Sequence, residues 1–401
     1  MVIEVRTARD GEREELRRLT DLAFAVRPKP FDEAEDRSRG PLERRLVAVD
    51  QEDGGRPVGH WLMHEAGQWF GGRRVPMAAV AGVAVHPTRR SGGIGGRLVG
   101  AALPAMRERG EAISSLYPMN HTFYRRFGWE SAGDHPLLEL PMRELLDLPR
   151  PSRRLLVRET SEADLPALRR LHDRIGRTES GNLAYGPHLA FRRLLGHPGL
   201  SEGYLVESDG EITGLVVLQH EEPRGEAEFY SLTVSNLLAT DLDSELTLWQ
   251  LVAGHHPVAR TVRFALAPHV ALPVLLGERG ARPVGRGFGF MTRLVDAPAA
   301  VAARGYRPEA DAELSLEIAD PHAPWNAGPY VLRVKGGDGV LEPGGPGRVR
   351  LTIGTLASLY TGWADPVTTA RLGRLPGADE ADLAALGAVF GGRTPWSRDF
   401  F

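Results

Sequence analysis

The stretch VPMAAVAGVAVHPTRRSGGIGGRLVGAALPAMRERG, residues 75–110, places three patterns in series. An apolar run of small and β-branched residues predicts a strand that ends near Val85. A basic, glycine-rich turn follows, and the apolar spacing after it predicts a long helix. In the turn, glycines let the backbone approach a ligand, amide groups at the helix N-terminus attract anions, and Arg89 and Arg90 add positive charge. The stretch therefore indicates a pyrophosphate site.

A glycine-rich turn between a strand and a helix is a weak signal by itself, because dinucleotide sites and ordinary loops share it. The turn is not a Walker loop, since no Gly-Lys-Ser/Thr follows it. A dinucleotide fold would place the turn near the start of the chain, whereas several predicted strands precede this one. The segments that follow the helix are needed to decide between these alternatives.

Two downstream segments complete a specific order of elements. EAISSLYP, residues 111–118, predicts a strand, and HTFYRRFGWE, residues 121–130, predicts a helix. Together with V-x-V-x-P at residues 83–87 and R-x-x-G-x-G at residues 90–95, this order resembles the signature of the GNAT acetyltransferases, including the Y-x-x-F-G-[FWY] ending of that helix. The resemblance implies acetyl-CoA as co-substrate, with its pantetheine arm in the gap between two splayed strands.

The same resemblance implies roles for individual residues. Tyr124 would act as general acid on the thiolate of departing coenzyme A. The alternative is a core tyrosine, packed with its neighbours Phe123 and Phe127. A backbone N–H near Val85 would polarise the thioester carbonyl. The implied cofactor-binding residues are Val83, Ala84, Val85, Arg90, Ser91, Gly92, Gly93, Ile94, Gly95, Gly96, Met119 and Asn120.

Two stretches of the chain look alike. VRTARDGEREELRRL begins at Val5 and VRETSEADLPALRRL begins at Val157, and each predicts a strand, a polar turn and an amphipathic helix. Chance similarity is one explanation and a duplicated domain is the other. At the same offset of 152 residues, NLLATDLDSELTLWQL (residues 236–251) has acids and no glycine where the basic turn should fall. A second copy would therefore be structural, without a pyrophosphate loop.

Beyond residue 290 the pattern changes to a third, α+β region that ends in TPWSRDFF, residues 394–401. Over its whole length the chain resembles the Eis family of aminoglycoside N-acetyltransferases. This implies an α+β chain with a catalytic GNAT domain (1–150), a degenerate GNAT-like domain (151–292) and a sterol-carrier-protein-like domain (293–401). It also implies a homohexamer, and a Phe401 whose C-terminal carboxylate acts as general base in the first domain. The alternative for the aromatic tail is a surface segment attached to its own domain.

The acceptor is less well defined. Family members that acetylate aminoglycosides often have an acid beside the terminal Phe, whereas this chain has Phe400 there and Asp399 one position earlier. Asp32, Glu33 and Glu35 could line the mouth of the site, or could be solvated loop charges. We therefore expect a small-molecule amine, with an aminoglycoside, a polyamine and a lysine side chain as candidates.

Composition limits the remaining classes. A net charge of −3 argues against nucleic acid as partner, and the absence of cysteine excludes thiolate nucleophiles and zinc–thiolate sites. The histidines are dispersed, so we expect no metal site. No apolar segment predicts a signal peptide or membrane span, so we expect a cytoplasmic protein. The sequence thus predicts direct acetyl transfer to an amine; the alternatives are an acyl-CoA sensor and a lipid carrier, neither with turnover.

Overall fold

The computed structural model describes residues 2–26, 30–33, 36, 40–196, 201–223, 228–265, 271–277, 280–284 and 289–401. Strands and helices alternate through its first part. The strands are β1 (Ile3–Thr7), β2 (Arg45–Asp50), β3 (Arg56–Phe70), β4 (Arg73–Val85), β5 (Ile113–Leu116), β6 (Glu130–Gly133) and β7 (Leu137–Pro141). The helices are α1 (Arg13–Phe24), α2 (Ile94–Glu108) and α3 (His121–Arg126).

The middle of the chain repeats this alternation. Its strands are β8 (Leu156–Glu159), β9 (Leu183–Tyr185), β10 (Ser201–Ser208), β11 (Glu211–Glu221), β12 (Ser231–Ala239), β13 (Thr261–Ala265), β14 (Arg282–Pro283) and β15 (Phe290–Leu294). Its helices are α4 (Leu165–Gly176), α5 (Pro187–Leu194), α6 (Leu242–Ala253) and α7 (Ala271–Leu276).

The last part begins with a helix and then forms a small sheet, as the alternating pattern of the sequence predicts. The helices are α8 (Ala297–Ala303), α9 (Ile353–Tyr360), α10 (Pro366–Arg371) and α11 (Glu380–Phe390). The strands are β16 (Ala312–Ala319), β17 (Gly328–Lys335), β18 (Asp338–Pro343) and β19 (Val349–Thr352). Among the helices that the structure describes, none has both the length and the apolarity needed to cross a bilayer.

Three sheets organise these elements. The first sheet has the order β1-β2-β3-β4-β5-β15-β6, with β9 paired to β3, and the second has the order β14-β7-β13-β12-β11-β10-β8. The third sheet has the order β18-β17-β16-β19. The first two sheets exchange strands, since β7 lies in the second and β15 lies in the first. The predicted boundaries at 150/151 and 292/293 stay predictions: both sheets have strands on either side of 150/151, and β15 spans 292/293.

The repeated sequence has a structural counterpart in a repeated ion pair. Arg6 bonds to Glu12 at 2.9 Å, and Arg158, 152 positions later, bonds to Asp164 at 2.8 Å. Glu12 and Asp164 each also accept a backbone N–H three residues earlier, and so cap the helical turns that lead into α1 and α4. The same charge pair therefore fixes the same strand-to-helix connection twice.

The strands at the centre of each of the first two sheets separate. Parallel β4 and β5 pair from Met77/Ile113 to Ala79/Ser115, after which β4 continues to Val85 paired with β3 but no longer with β5. Parallel β12 and β13 pair from Leu232/Val262 to Val234/Phe264 in the same way. Diverging strands leave backbone groups without sheet partners, and such groups need another hydrogen-bonding partner. Each sheet thus opens a gap at its middle.

Candidate active site

The gap in the first sheet opens into a cavity of about 850 Å³, which we call the main cavity. Its walls include residues of helices α1 and α5, strands β3 and β4, the end of β5, and the last two residues of the chain. The size is within the range of small-molecule sites, and a boundary between units is a common place for one. Residues remote in sequence therefore meet at the separated strands.

The free end of β4 forms one wall of the main cavity. Val83, Ala84 and Val85 all line it, as the sequence predicts. Gly82, just before them, has a φ of +55°, a left-handed conformation that glycine adopts without strain. The kink coincides with the register shift in the pairing of β3 with β4. This geometry turns the strand end away from β5 and toward the cavity.

The basic turn lies at the end of this strand and begins α2. Arg90 lines the main cavity, whereas Arg89 turns away and forms an ion pair with Asp50 at 3.2 Å. We expected both arginines to face a phosphate, but only Arg90 lies at the main cavity. Ser91 and Gly93 have φ values of +65° and +76°, which curl the turn so that the first amide groups of α2 point out of the helix end.

Two glycines of the turn have a packing role that the sequence analysis did not predict. A Cβ atom on Gly95 would lie 2.9 Å from the Phe123 ring, and one on Gly96 would lie 3.3 Å from the Phe127 ring. Both aromatic residues lie at α3, so these glycines allow α2 and α3 to pack closely. Ile94, beside them, is buried in the core.

The remaining predicted cofactor residues divide into two groups. Met119 is 65% exposed and lines the main cavity. Asn120 does not line it; its side chain instead accepts the N–H of Phe123 at 3.0 Å and caps α3. The residues that belong to the turn and helix start and do not line the cavity are Ser91, Gly92, Gly93, Ile94, Gly95 and Gly96.

Tyr124 lines the main cavity from α3. Its ring packs against Phe123 and Trp129, with centroids 5.0 and 6.1 Å away, so both the predicted role and the packing alternative have a basis in geometry. Burial raises the pKa of Tyr124 to about 12. The phenol therefore stays protonated throughout the neutral range.

The middle of the tail, residues 395–399, lies inside the protein. Trp396, Ser397, Arg398 and Asp399 are buried, and hydrogen bonds hold the tail to both of the first two sheets. Trp396 N–H donates to Ser180 at 2.9 Å. Beyond Asp399, Phe400 and Phe401 emerge into the main cavity, where their rings lie 4.7 and 5.2 Å from the ring of Tyr117. The aromatic end thus reaches the separated strands of the first sheet.

Asp399 does not serve as an acid of the cavity. Its side chain is fully buried, accepts the hydroxyl of Tyr185 at 2.8 Å and lies 3.6 Å from Arg193. Its backbone carbonyl accepts the hydroxyl of Tyr117. The sequence analysis did not identify Tyr185, Arg193 or Tyr117 as partners of Asp399. For Tyr117 alone a clue was available, since it is the aromatic residue at the end of the predicted strand segment EAISSLYP.

The acids in the described part of the main cavity are already paired. Asp21 accepts Nε of Arg17 at 2.9 Å, and Asp36 accepts Arg45 at 2.9 Å and Arg13 at 2.9 Å. Burial opposes the charge of Asp36, but the bonds to Arg45 and Arg13 outweigh it, so its pKa lies below its usual value.

Of the acids predicted at the mouth, the two that the structure describes do not line the main cavity. Asp32 and Glu33 are exposed and do not line the cavity, and Glu35 lies outside the described residues. Asp36, which the sequence analysis did not select, is the nearby acid that the fold brings to the wall.

His60 is a buried, uncharged wall of the same cavity. Burial, reinforced by the positive charge of Arg45, lowers its pKa to about 3. The Thr20 hydroxyl lies 2.9 Å from the carbonyl of Leu16 and 3.1 Å from Nδ1 of His60. The side-chain carboxylates among the described residues of the cavity, Asp21 and Asp36, are thus bonded to arginine, and His60 is uncharged at neutral pH.

Comparison with known families agrees with this architecture. Residues 4–132 match an acetyltransferase (GNAT) domain, residues 191–294 match a second acetyltransferase (GNAT) domain, and residues 297–398 match a sterol carrier protein domain. These matches confirm the predicted fold class, two GNAT folds followed by a sterol-carrier-like α+β domain.

Among individual proteins, an uncharacterized N-acetyltransferase of Streptomyces avermitilis is 28% identical over 100% of this chain and 99% of its own length. N-acetyltransferase Eis of Mycobacterium tuberculosis is 30% identical over 40% of this chain and 39% of that protein. A GCN5-related N-acetyltransferase from Anabaena variabilis superposes with a TM-score of 0.89 at 27% identity, covering 100% of both chains.

Eis1 from Mycobacterium abscessus shares the fold, with a TM-score of 0.77 at 23% identity over 99% of this chain and 100% of that one. The domain order, the full-length N-acetyltransferase relatives and the Eis relative agree with the site geometry. The chain is therefore an N-acetyltransferase of the GNAT family, with a partial sequence similarity to Eis.

Proposed function

We propose that this enzyme transfers the acetyl group of acetyl-CoA directly to the amino group of a small molecule in the main cavity. One observation carries the proposal: the strand end Val83–Val85, Tyr124 and the terminal Phe401 all line that cavity, although they come from distant parts of the chain. A thioester beside the strand end would have a phenol and a carboxylate on either side of it.

Acetyl-CoA would lie along the free end of β4. The exposed backbone of Val83–Val85 offers hydrogen bonds to the amides of the pantetheine arm, and a backbone N–H near Val85 would polarise the thioester carbonyl. The pyrophosphate would take the first amide groups of α2 and the guanidinium of Arg90. Because Arg89 is held by Asp50 at 3.2 Å, it contributes to the shape of the turn rather than to phosphate binding.

The proposed reaction exchanges one bond for another. The amine nitrogen attacks the thioester carbon, the C–N bond forms, and the C–S bond breaks as coenzyme A leaves. The amine is mostly protonated at neutral pH and must lose a proton to attack; the α-carboxylate of Phe401 would accept it. The aromatic contacts of Phe401 with Tyr117, 5.2 Å between centroids, hold this carboxylate near the cavity.

Tyr124 would act on the leaving sulfur. Its pKa of about 12 keeps the proton available, but makes complete transfer to a thiol of ordinary pKa, about 8.5, unfavourable by itself. A hydrogen bond from the phenol to the departing thiolate is the part of the acid role that this environment favours. The amine nitrogen loses one proton to Phe401 before it attacks and a second as the amide forms; this second proton neutralises the thiolate, directly or by way of the phenol.

The acceptor in this proposal is an amine with an apolar body. The described acids of the cavity, Asp21 and Asp36, are each bonded to arginine at 2.9 Å, so a polycation would find little negative charge to compensate its loss of water. The apolar residues that would contact the acceptor are Leu16, Phe24, Leu62, Val80, Leu189 and Phe400. An arylalkylamine fits this wall better than an aminoglycoside or a polyamine.

The lipid-carrier alternative is less well supported. In the third unit the guanidinium of Arg304 lies in the interior, over the rings of Tyr306, Tyr360 and Phe390 at 4.9 to 5.7 Å. It donates to the carbonyls of Gly305, Tyr360 and Phe390 at 2.8 to 3.0 Å. A fatty-acyl chain would have to displace this charged, hydrogen-bonded plug. The homohexamer and the cytoplasmic location implied by the family belong to the proposal as well, and light scattering would test the hexamer.

The test is thiol release from acetyl-CoA with an arylalkylamine, a polyamine, an aminoglycoside and a lysine peptide as acceptors. The native chain is compared with one extended by a single glycine after Phe401, which moves the carboxylate without removing the ring. We expect turnover to be highest with the arylalkylamine and to fall about 100-fold or more on extension. Acetyl-CoA binding without turnover on any acceptor would favour the sensor, and equal turnover of both chains would exclude Phe401 as base.

A further inference from the structure

The gap in the second sheet is filled by the chain's own tail. Past the last pair, Val234/Phe264, the diverging strands β12 and β13 leave a cavity of about 100 Å³. Its lining combines the strand ends with the tail; the residues involved are Leu237, Leu238, Ala239, Phe264, Ala265, Trp396 and Arg398. Where the first sheet opens a large cavity at the equivalent gap, the second sheet holds a buried arginine and a buried tryptophan.

Arg398 takes the backbone group that the separation leaves exposed. Its guanidinium donates to the carbonyl of Leu237 at 3.0 Å. Leu237 lies three residues past the last paired residue of β12, as the cavity-lining Gly82 does in β4. In the first sheet we assigned the residues directly after Gly82, Val83–Val85, to the amides of the pantetheine arm. In the second sheet a side chain of the same molecule makes the corresponding bond.

Further bonds fix the same guanidinium. Its Nε donates to Asn182 at 3.1 Å, and its other terminal nitrogen forms an ion pair with the carboxylate of Glu179. The backbone N–H of Arg398 also donates to Asn182, at 3.1 Å. Leu237 lies on β12 of the second sheet, whereas Glu179 and Asn182 lie in the segment between α4 and β9. Asn182 is buried and the side chain of Glu179 is 10% exposed, and removing one member of a buried charge network is costly. Arg398 is therefore a fixed point of the tail.

A fixed Arg398 limits where the chain can end. Three further residues follow it, and an extended chain spans at most about 3.6 Å per residue, so Phe401 cannot lie more than about 11 Å beyond it. Asp399, the next residue, is also held, since its carboxylate accepts the hydroxyl of Tyr185 at 2.8 Å. This second bond further restricts the positions that Phe400 and Phe401 can reach in the main cavity.

We propose that Arg398 is a positioning residue of the acetyl transfer: the gap of the second GNAT domain anchors the tail, and this anchor places the Phe401 carboxylate in the active site of the first domain. The inference rests on the proposed role of Phe401 as base. It gives the second domain, which has acids and no glycine at residues 236–251 where the basic turn should fall, a defined part in the reaction.

The test uses the full-length enzyme with Arg398→Met, which keeps the linear side chain and removes its donors. Arg158→Met, which breaks an ion-pair network of the same domain away from the tail, is the matched control. We expect Arg398→Met to lower kcat about 100-fold, with acetyl-CoA affinity within about twofold of the native value. Arg398→Lys, which keeps the charge, should recover part of the loss.

A double variant separates positioning from general support of the fold. If Arg398 acts through Phe401, Arg398→Met should cause no further loss in a chain that lacks Phe401. An equal additional loss in that background would overturn the inference. If deletion of Phe401 alone leaves kcat unchanged, the proposed base fails instead, and the two failures are thereby distinguished.

Carboxypeptidase digestion supplies a readout that does not depend on turnover. With the tail anchored, Phe401 and Phe400 should be released slowly from the native enzyme and at least about 10-fold faster from Arg398→Met, because the open state of the tail becomes more populated. Mass spectrometry measures the release. If Arg398→Met does not fold, the same comparison is made with Arg398→Lys. Equal rates of release would show that Arg398 does not hold the tail.

Discussion

The hydroxyl of Tyr185 donates a hydrogen bond to the buried carboxylate of Asp399 at 2.8 Å. Tyr185 belongs to β9, which pairs with β3 of the first sheet, so this bond joins the catalytic sheet to the tail. Burial and the charge of Asp399 both raise the pKa of Tyr185 well above its usual value. The phenol therefore stays protonated, and remains a donor, throughout the neutral pH range.

Tyr185→Phe should lower the free energy of unfolding by about 1–3 kcal/mol, because a buried carboxylate loses one of its donors. Urea titration followed by circular dichroism measures this. Tyr204→Phe is the control, since that hydroxyl bonds to the exposed Glu202 at 2.8 Å and should cost little. Equal effects of the two substitutions would contradict a special role for the bond to Asp399.

Tyr124→Phe should lower kcat about 100-fold and leave the KM for acetyl-CoA nearly unchanged, because the lost hydrogen bond serves the departing sulfur. Since burial raises the pKa of Tyr124 to about 12, ionisation of this phenol should not cause any fall in native activity below about pH 10. Steady-state rates between pH 6 and 10 test both points. A native rate that falls above pH 8 and a Tyr124→Phe rate that does not would contradict the assignment.

His60 should make the fold sensitive to acid. Its pKa is about 3 in the folded protein, against 6.5 for an exposed histidine, so the unfolded chain binds the proton more tightly. The contribution of this pKa difference to the free energy of unfolding is fully present above pH 6.5 and is lost as the pH falls toward 3. Between pH 7.5 and 5 the loss should be about 2 kcal/mol, which urea titrations at the two pH values measure. His60→Asn should flatten this dependence, and His121→Asn, at an exposed site, should not.

Gly95→Ala should weaken acetyl-CoA binding and lower stability by about 1–3 kcal/mol, because the new Cβ would lie 2.9 Å from Phe123 and force α2 and α3 apart. Gly100→Ala is a control on the same helix, since its Cβ would have no neighbour within 4 Å; it should stabilise the protein by about 0.5–1 kcal/mol. Isothermal titration with coenzyme A and thermal unfolding test the pair. Similar losses at both positions would exclude the packing explanation.

Local patterns predicted much of this structure. The strand, turn and helix of residues 75–110 form because apolar spacing, glycines and helix formers agree along one stretch, and the 152-residue repeat predicted both α1 and α4. The aromatic tail signalled its own burial, since Trp396 and the residues after it would otherwise be exposed. In each of these cases the sequence pattern lies within a few residues of the element that it predicts.

The rest depends on contacts between distant residues. Whether Arg89 or Arg90 faces the cavity is decided by Asp50, and the need for glycine at position 95 is decided by Phe123. Asp36 and Arg45 form a buried pair at 2.9 Å, yet each looks like an ordinary surface charge in sequence. Periodicity also cannot show that β15 pairs with β5 and β6, because the strand pattern is the same in any sheet.

The position of β15 in the first sheet has a consequence for how the protein can be made. Met291 pairs with Leu116 on one side and with Ser131 on the other, across more than 150 residues of chain. During synthesis one edge of β5 and the whole of β6 must wait without their partner strand until residue 294 has left the ribosome. A fragment that stops at residue 150 would keep the turn and Tyr124 but expose the edges of β5 and β6, which invite aggregation. The first sheet, which contains the catalytic site, is thus completed by β15. The first domain should therefore be expressed only together with the residues that follow it.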